Sequence, residues 1–188
     1  MKLRMARCSF DKHPPYSNGT TNKAWNCIIS FLRLSRVFDN PIYKIAALTL
    51  RCGSVYYLQH RSLSSADPHY FVVLNIDPHA DDFLILLVAS SNITGVKRRN
   101  KNLPTETIVE IFPAEYPQFS VPSIIDCNHL FRVTKQELLQ KLQSGFAAEK
   151  TPIPQSILVK LRTGVLMSPL IEDVVKDMVQ WNMKLSGV

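Results

Sequence analysis

The stretch HYFVVLNIDPHADDFLILLVASSN, residues 69–92, sets a histidine at the head of one apolar run and hydroxyl side chains at the tail of the next. If the two runs pair as antiparallel neighbours, His69 at the start of one strand comes close to Ser90 at the end of the other. Histidine can give or take a proton near neutral pH, which is the usual requirement of a general acid or base. Just beyond Ser90, Ser91 and Asn92 comes KRRNK, residues 97–101, where Lys97, Arg98, Arg99 and Lys101 form a basic segment next to the candidate pair. A positive segment beside a proton-transfer group suits binding to RNA phosphates. Each feature also has a plain structural reading. His69 is then a rim histidine, Ser90 a strand-end residue bonding its own backbone, and 97–101 a solvated surface loop.

Other chemistry-bearing clusters carry less. HADD (79–82) holds one His and two carboxylates, a combination that binds divalent ions, but it lies in a two-strand turn with nothing to complete a shell. DCNH (126–129) offers Cys127 and His129 without an orienting third group. No Gly-rich phosphate loop and no G-x-S-x-G elbow occurs in the chain. The cysteines at 8, 27, 52 and 127 are far apart and form no C-x-x-C, so free thiols are expected rather than a structural zinc site or a disulfide framework. Neither a metal nor a cofactor is expected.

The elements that must position these residues are legible in the apolar pattern. GSVYYL (53–58), YFVVLNI (70–76), FLILLVAS (83–90), ETIVEIF (106–112) and SIIDC (123–127) are short and rich in β-branched and aromatic residues. Pro, Gly, Asp or Asn bound them, and the spacing predicts five antiparallel strands in a small curved sheet or barrel. The 70–90 hairpin turns through DPHADD. Val72, Leu74, Leu84, Leu86, Val88, Ile108 and Ile124 are the expected core residues. After Cys127 the period becomes helical. Thr134 with Glu137 is a capping box for ELLQKLQ, which runs to Gly145. PQSILVKLRTG (154–164) repeats the plan, from Pro154 to Gly164. A third helix opens at Ser168-Pro169 with an apolar stripe of Ile171, Val174, Val175, Met178 and Leu185. Strands followed by helices predict an α+β fold. The expected organisation is a poorly ordered extension over residues 1–41, with a short helix near 24–38, and one barrel domain over 42–188.

At 46 % hydrophobic and 20 % charged residues, the chain has the composition of an ordinary globular protein. No run reaches the roughly 20 apolar residues needed to cross a bilayer. The first residues do not resemble a cleaved leader, so a cytoplasmic protein with no membrane partner is expected. The net charge of +7 is unevenly placed. Residues 1–61 carry ten Lys/Arg against two Asp/Glu, and the remainder is nearly balanced. That asymmetry suggests an anionic partner, often a nucleic acid.

The order of CGSVYYL (52–58), HYFVVLN (69–75), LILLVASSN (84–92) and PSIIDCNHLFRVTKQELLQKL (122–142) resembles the MazF/PemK-like toxins, small-barrel endoribonucleases of toxin–antitoxin systems. The resemblance covers about residues 50–145 and implies an SH3-like barrel that cleaves single-stranded RNA without a metal. By position, the family's third-strand hydroxyl falls on Ser90. Its arginine before the second strand falls on His69, and Tyr70 stands where the family usually has proline. A histidine does not supply a permanent forked cation; in the first loop, His60 and Arg61 are the residues that could substitute for the family's arginine. The implied site is then His69, Ser90 and Arg61 for catalysis, with Asn92, Lys97, Arg98, Arg99 and Lys101 holding RNA. The implied partners are single-stranded RNA, an antitoxin protein and a second copy in a homodimer. The alternative is a non-catalytic barrel of the same class that binds a protein partner.

Overall fold

A computed structural model describes residues 49–63, 65 and 67–180. The 1–41 extension, the helix expected near 24–38 and Leu185 lie outside the described residues. The fold is α+β. Seven strands form one antiparallel sheet: β1 (Val55–Leu58), β2 (His69–Val73), β3 (Phe83–Ser90), β4 (Ile108–Ile111), β5 (Ser123–Asp126), β6 (Phe131–Thr134) and β7 (Ala147–Lys150). Among the described residues they are accompanied by the helices α1 (Ile93–Arg99), α2 (Lys135–Gln143), α3 (Gln155–Met167) and α4 (Asp173–Val179). The strand order is β4-β5-β3-β2-β1-β7, with β6 also paired to β3. Among the described residues no ladder joins the two ends, β4 and β7, into a closed barrel.

All five expected strands are present, and two more join them. β5 and β6 lie along the same edge of β3. Ala89 pairs with Ile125 and Leu86 with Phe131, so three steps along β3 are matched by six along the other segment. The extra residues form the turn at Cys127–Leu130. Alternation then sorts the side chains. On one face Val55, Val72, Leu74, Ile85 and Leu87 pack with Ile157, Leu158, Leu161 and Val165 of α3 and Val175 and Val179 of α4. On the other, Tyr56, Leu58, Phe71, Val73, Leu84 and Leu86 pack with Phe131, Val133 and Leu138 of α2. Both faces are covered, and for that reason β2 and β3 read as unbroken apolar runs rather than alternating ones. Each fully buried Leu, Ile or Phe contributes about 1.5–3 kcal/mol over its exposed state. Of the expected core, Val72, Leu74, Leu84, Leu86 and Ile124 are buried, while Val88 and Ile108 are half-buried.

Three expectations about helices need correcting. The basic segment after β3 is the helix α1 and not a loop. Asn92 caps it, accepting a hydrogen bond from the Gly95 N–H at 2.9 Å. Gly164 does not end α3, which runs on to Met167. It is buried where a β-carbon would stand 2.7 Å from both Cys127 Sγ and the Glu106 carbonyl oxygen. This glycine permits close packing. The last helix starts at Asp173 rather than after Pro169, and Val174 is 64 % exposed, off the buried stripe of Val175 and Val179. α2 follows expectation: Thr134 Oγ1 accepts from the Glu137 N–H, and Gly145 beyond it has a φ of 76°.

The DCNH segment is structural in most of its atoms. Asn128 Nδ2 donates to Thr107 Oγ1 at 2.8 Å and to Asp126 Oδ1 at 3.1 Å, and its oxygen accepts from Ser168 Oγ at 2.7 Å. Asn100 Nδ2 donates to Asp126 Oδ2 at 2.7 Å. This network ties the end of α1, the β5–β6 turn and the end of α3 into one unit. Burial pushes the Cys127 thiol well above its ordinary range, which makes it a packing group rather than a nucleophile.

Candidate functional site

Strand alternation decides which side chains share a surface. In β2, His69 falls on the same side as Phe71 and Val73; in β3, Ser90 falls with Leu84, Leu86 and Val88. The β2–β3 ladder pairs Val73 with Leu86, Val72 with Leu87 and Phe71 with Val88. The ladder ends there, two residues short of His69 and Ser90. Alternation therefore assigns the expected pair to one face, at the end of the sheet just beyond the last β2–β3 pair.

Two more histidines reach this end. The His60 ring lies 5.9 Å from that of Phe71 and 5.0 Å from that of Phe131, and the His129 ring is also 5.0 Å from Phe131. Phe71 and Phe131 meet edge to face at 5.4 Å. Of the four histidines among the described residues, only His79 stands apart, in the hairpin turn. His69-Tyr70-Phe71 and His129-Leu130-Phe131 share an H-x-F spacing, but His129 lies in the β5–β6 turn, two residues ahead of β6, and its ring contact with Phe131 rather than strand alternation places it. The DCNH reading, which weighed His129 only as a partner for Cys127, missed it.

The groups differ in how they are held. Nε2 of His69 is buried and has no hydrogen-bond partner among the described residues. Such an orphaned nitrogen is uncommon in a folded protein and calls for a partner. His60 is fixed: its Nδ1 accepts the Ser62 N–H at 3.2 Å, so the neutral ring carries its proton on Nε2. Burial pushes His60 below the ordinary histidine value; Glu137 opposes that, and Lys141 and Arg61 add to it. Arg61 is exposed. Ser90 Oγ accepts the Asn92 N–H at 3.1 Å, a strand-end cap that leaves the hydroxyl proton free to donate.

The residues expected to hold RNA divide. Asn92 spends its side-chain oxygen on the α1 cap, so that atom is committed to structure. Lys97 is paired with Glu110 at 2.6 Å. Arg98, Arg99 and Lys101 are exposed. The helix that carries the two arginines lies on the same side of the sheet as Ser90, because its bonds run to Glu110 and Asp126, which alternate onto that face.

In the hairpin turn, Asp77 Oδ1 accepts the His79 and Ala80 N–H groups, and Asp81 accepts from Asn75 Nδ2 at 2.7 Å. These carboxylates shape the turn. Among the described residues no three His, Cys, Asp or Glu side chains converge as a metal site, and no helix is long and apolar enough to cross a membrane. No protein-family model matches the chain, and no curated protein is similar enough to count as a relative.

Proposed function

We propose that the protein acts on single-stranded RNA at the sheet end marked by His69 and Ser90, as a MazF/PemK-like endoribonuclease of the toxin type. The observation that supports this most is that the His60 and His129 rings both pack on Phe131, on the sheet face to which alternation assigns His69 and Ser90, with Arg61, Arg98 and Arg99 exposed. On this reading His69 takes the proton of a ribose 2′-hydroxyl. The 2′-oxygen then bonds to the adjacent phosphorus, the bond from phosphorus to the 5′-oxygen breaks, and the departing oxygen takes a proton from solvent. The Ser90 hydroxyl donates a hydrogen bond to a non-bridging phosphate oxygen, and Arg61 balances the charge that builds there. Arg98, Arg99 and Lys101 hold the neighbouring phosphates. The sheet is read as an SH3-like barrel left open between β4 and β7, with an antitoxin protein as its partner.

A second reading, a non-catalytic barrel that grips a protein, draws support from a different edge. β4 is a terminal strand flanked by the exposed Phe112 and Val121, and a groove of about 350 Å³ runs between β4 and the exposed Val159 of α3. One experiment separates the two. After induced expression, primer extension maps the ends of cellular RNA for the wild type beside Ser90→Ala. The RNA reading expects discrete cuts that Ser90→Ala reduces. Uncut RNA in both would refute it and favour the protein-binding edge.

A further inference from the structure

We propose that His129, backed by Phe131 and His60, is a stacking platform for an unpaired nucleobase of the RNA strand; this rests on the RNA reading above and adds the part of the substrate it grips. His129 is exposed, whereas the Phe131 ring beneath it is 5 % exposed and fixed in the core. The two rings are 5.0 Å apart at 49°, and His60 meets the same phenyl ring from its own loop at 5.0 Å and 74°. A flat ring on a rigid aromatic base, with its outer face in solvent, is how proteins hold bases that have left a helix. It keeps little conformational freedom to lose on binding. The His129 backbone is held as well: its N–H donates to the Asp126 carbonyl at 3.3 Å, and the preceding Asn128 is locked in the polar network. His60 accepts the Ser62 N–H on Nδ1, which orients its ring and favours the neutral form.

The platform also fits the neighbouring chemistry by position. Phe131 pairs across from Leu86 on β3, four residues from Ser90 along the same face. A strand whose phosphate lies at Ser90 and His69 therefore has a base within reach of His129.

The test uses the full chain and a labelled single-stranded RNA hexamer, with affinity read by fluorescence anisotropy at one fixed salt concentration. His129→Ala is expected to weaken binding about 5- to 150-fold, the range for losing one stacked base. His129→Phe, which keeps a flat ring and no titrating nitrogen, is expected to restore most of it. With a hexamer made abasic throughout, wild type and His129→Ala should bind alike. Equal affinity of His129→Ala and wild type for the ordinary hexamer, or a His129→Phe as weak as His129→Ala, would overturn the platform while leaving the RNA reading in place. A folded wild-type protein with no affinity for the hexamer would remove the RNA reading and the platform together.

Discussion

Replacing Gly164 with alanine tests whether α3 is seated on the β5–β6 turn as closely as the structure has it. In an exposed helix interior the change would stabilise by about 1 kcal/mol, the difference in helix propensity. Here the new methyl would stand 2.7 Å from Cys127 Sγ, 2.7 Å from the Glu106 carbonyl oxygen and 3.1 Å from Cys127 Cβ. The carbonyl is backbone and the thiol is buried, so neither can swing away as a flexible side-chain tip would. Overpacking of this kind costs about 1–3 kcal/mol and, with two hard contacts, the upper half of that range applies. The net expectation is a loss of about 1–2 kcal/mol, or about 2–8 °C in Tm for a chain of this size. Differential scanning calorimetry of the wild type, Gly164→Ala and Gly164→Ala with Cys127→Ala reads it. The double variant should recover part of the loss relative to Cys127→Ala alone, because the sulfur contact is relieved and the carbonyl contact is not. A Gly164→Ala protein that melts higher than wild type would show that the glycine is an unoptimised helix residue and that the close approach does not exist.

Other expectations follow from the same contacts. Asn128→Ala strips partners from Thr107, Asp126 and Ser168 at once and should destabilise by about 1–3 kcal/mol in a urea melt with an unchanged slope. His60 has its folded value depressed below 6.5, so the unfolded chain binds the proton more readily; its contribution is complete above about pH 6.5 and is lost as pH falls through the folded value. Wild type should therefore lose more Tm than His60→Phe between about pH 7.5 and about pH 5, and equal losses would refute the assignment. In RNA binding, Arg98→Gln and Arg99→Gln should each flatten the salt dependence by about 0.7 in the log–log slope, the effect of one phosphate contact. Lys97→Gln should change it little, since Glu110 already neutralises that ammonium.

What the sequence revealed tracks where local pattern and tertiary demand agree. β3 is legible with its full bounds because seven apolar residues and Ser90, between Asp82 and Ser91, leave no other reading. The α2 cap at Thr134 was equally plain, but it masked β6, since Phe131-Arg-Val-Thr is a four-residue alternation running straight into the capping box. β7 has the sequence Ala-Ala-Glu-Lys, with no strand preference of its own; pairing to β1 makes it a strand. Gly164 looked like a helix stop because only three-dimensional packing shows what a β-carbon there would strike. α1 was read as a loop because Thr94 and Gly95 are poor helix formers, although Asn92 supplies the cap and Gly95 leaves room for it: a β-carbon at Gly95 would lie 2.5 Å from the Asn92 amide nitrogen. For the site, two-residue periodicity groups His69 with Phe71 and Ser90 with Val88, and the ladder pairs Phe71 with Val88. The arrival of His129 depends on the β5–β6 turn, whose register shift no local pattern announces.

The most direct test of the histidine rim follows the imidazole signals of the protein by NMR while a single-stranded 2′-O-methyl RNA, which cannot be cleaved, is titrated in. Single His→Gln variants assign the signals. His60, His69 and His129 should shift together and saturate at one affinity, while His79 in the hairpin turn stays in place. RNA that binds without moving the three rim histidines, or that moves His79 instead, would contradict the account.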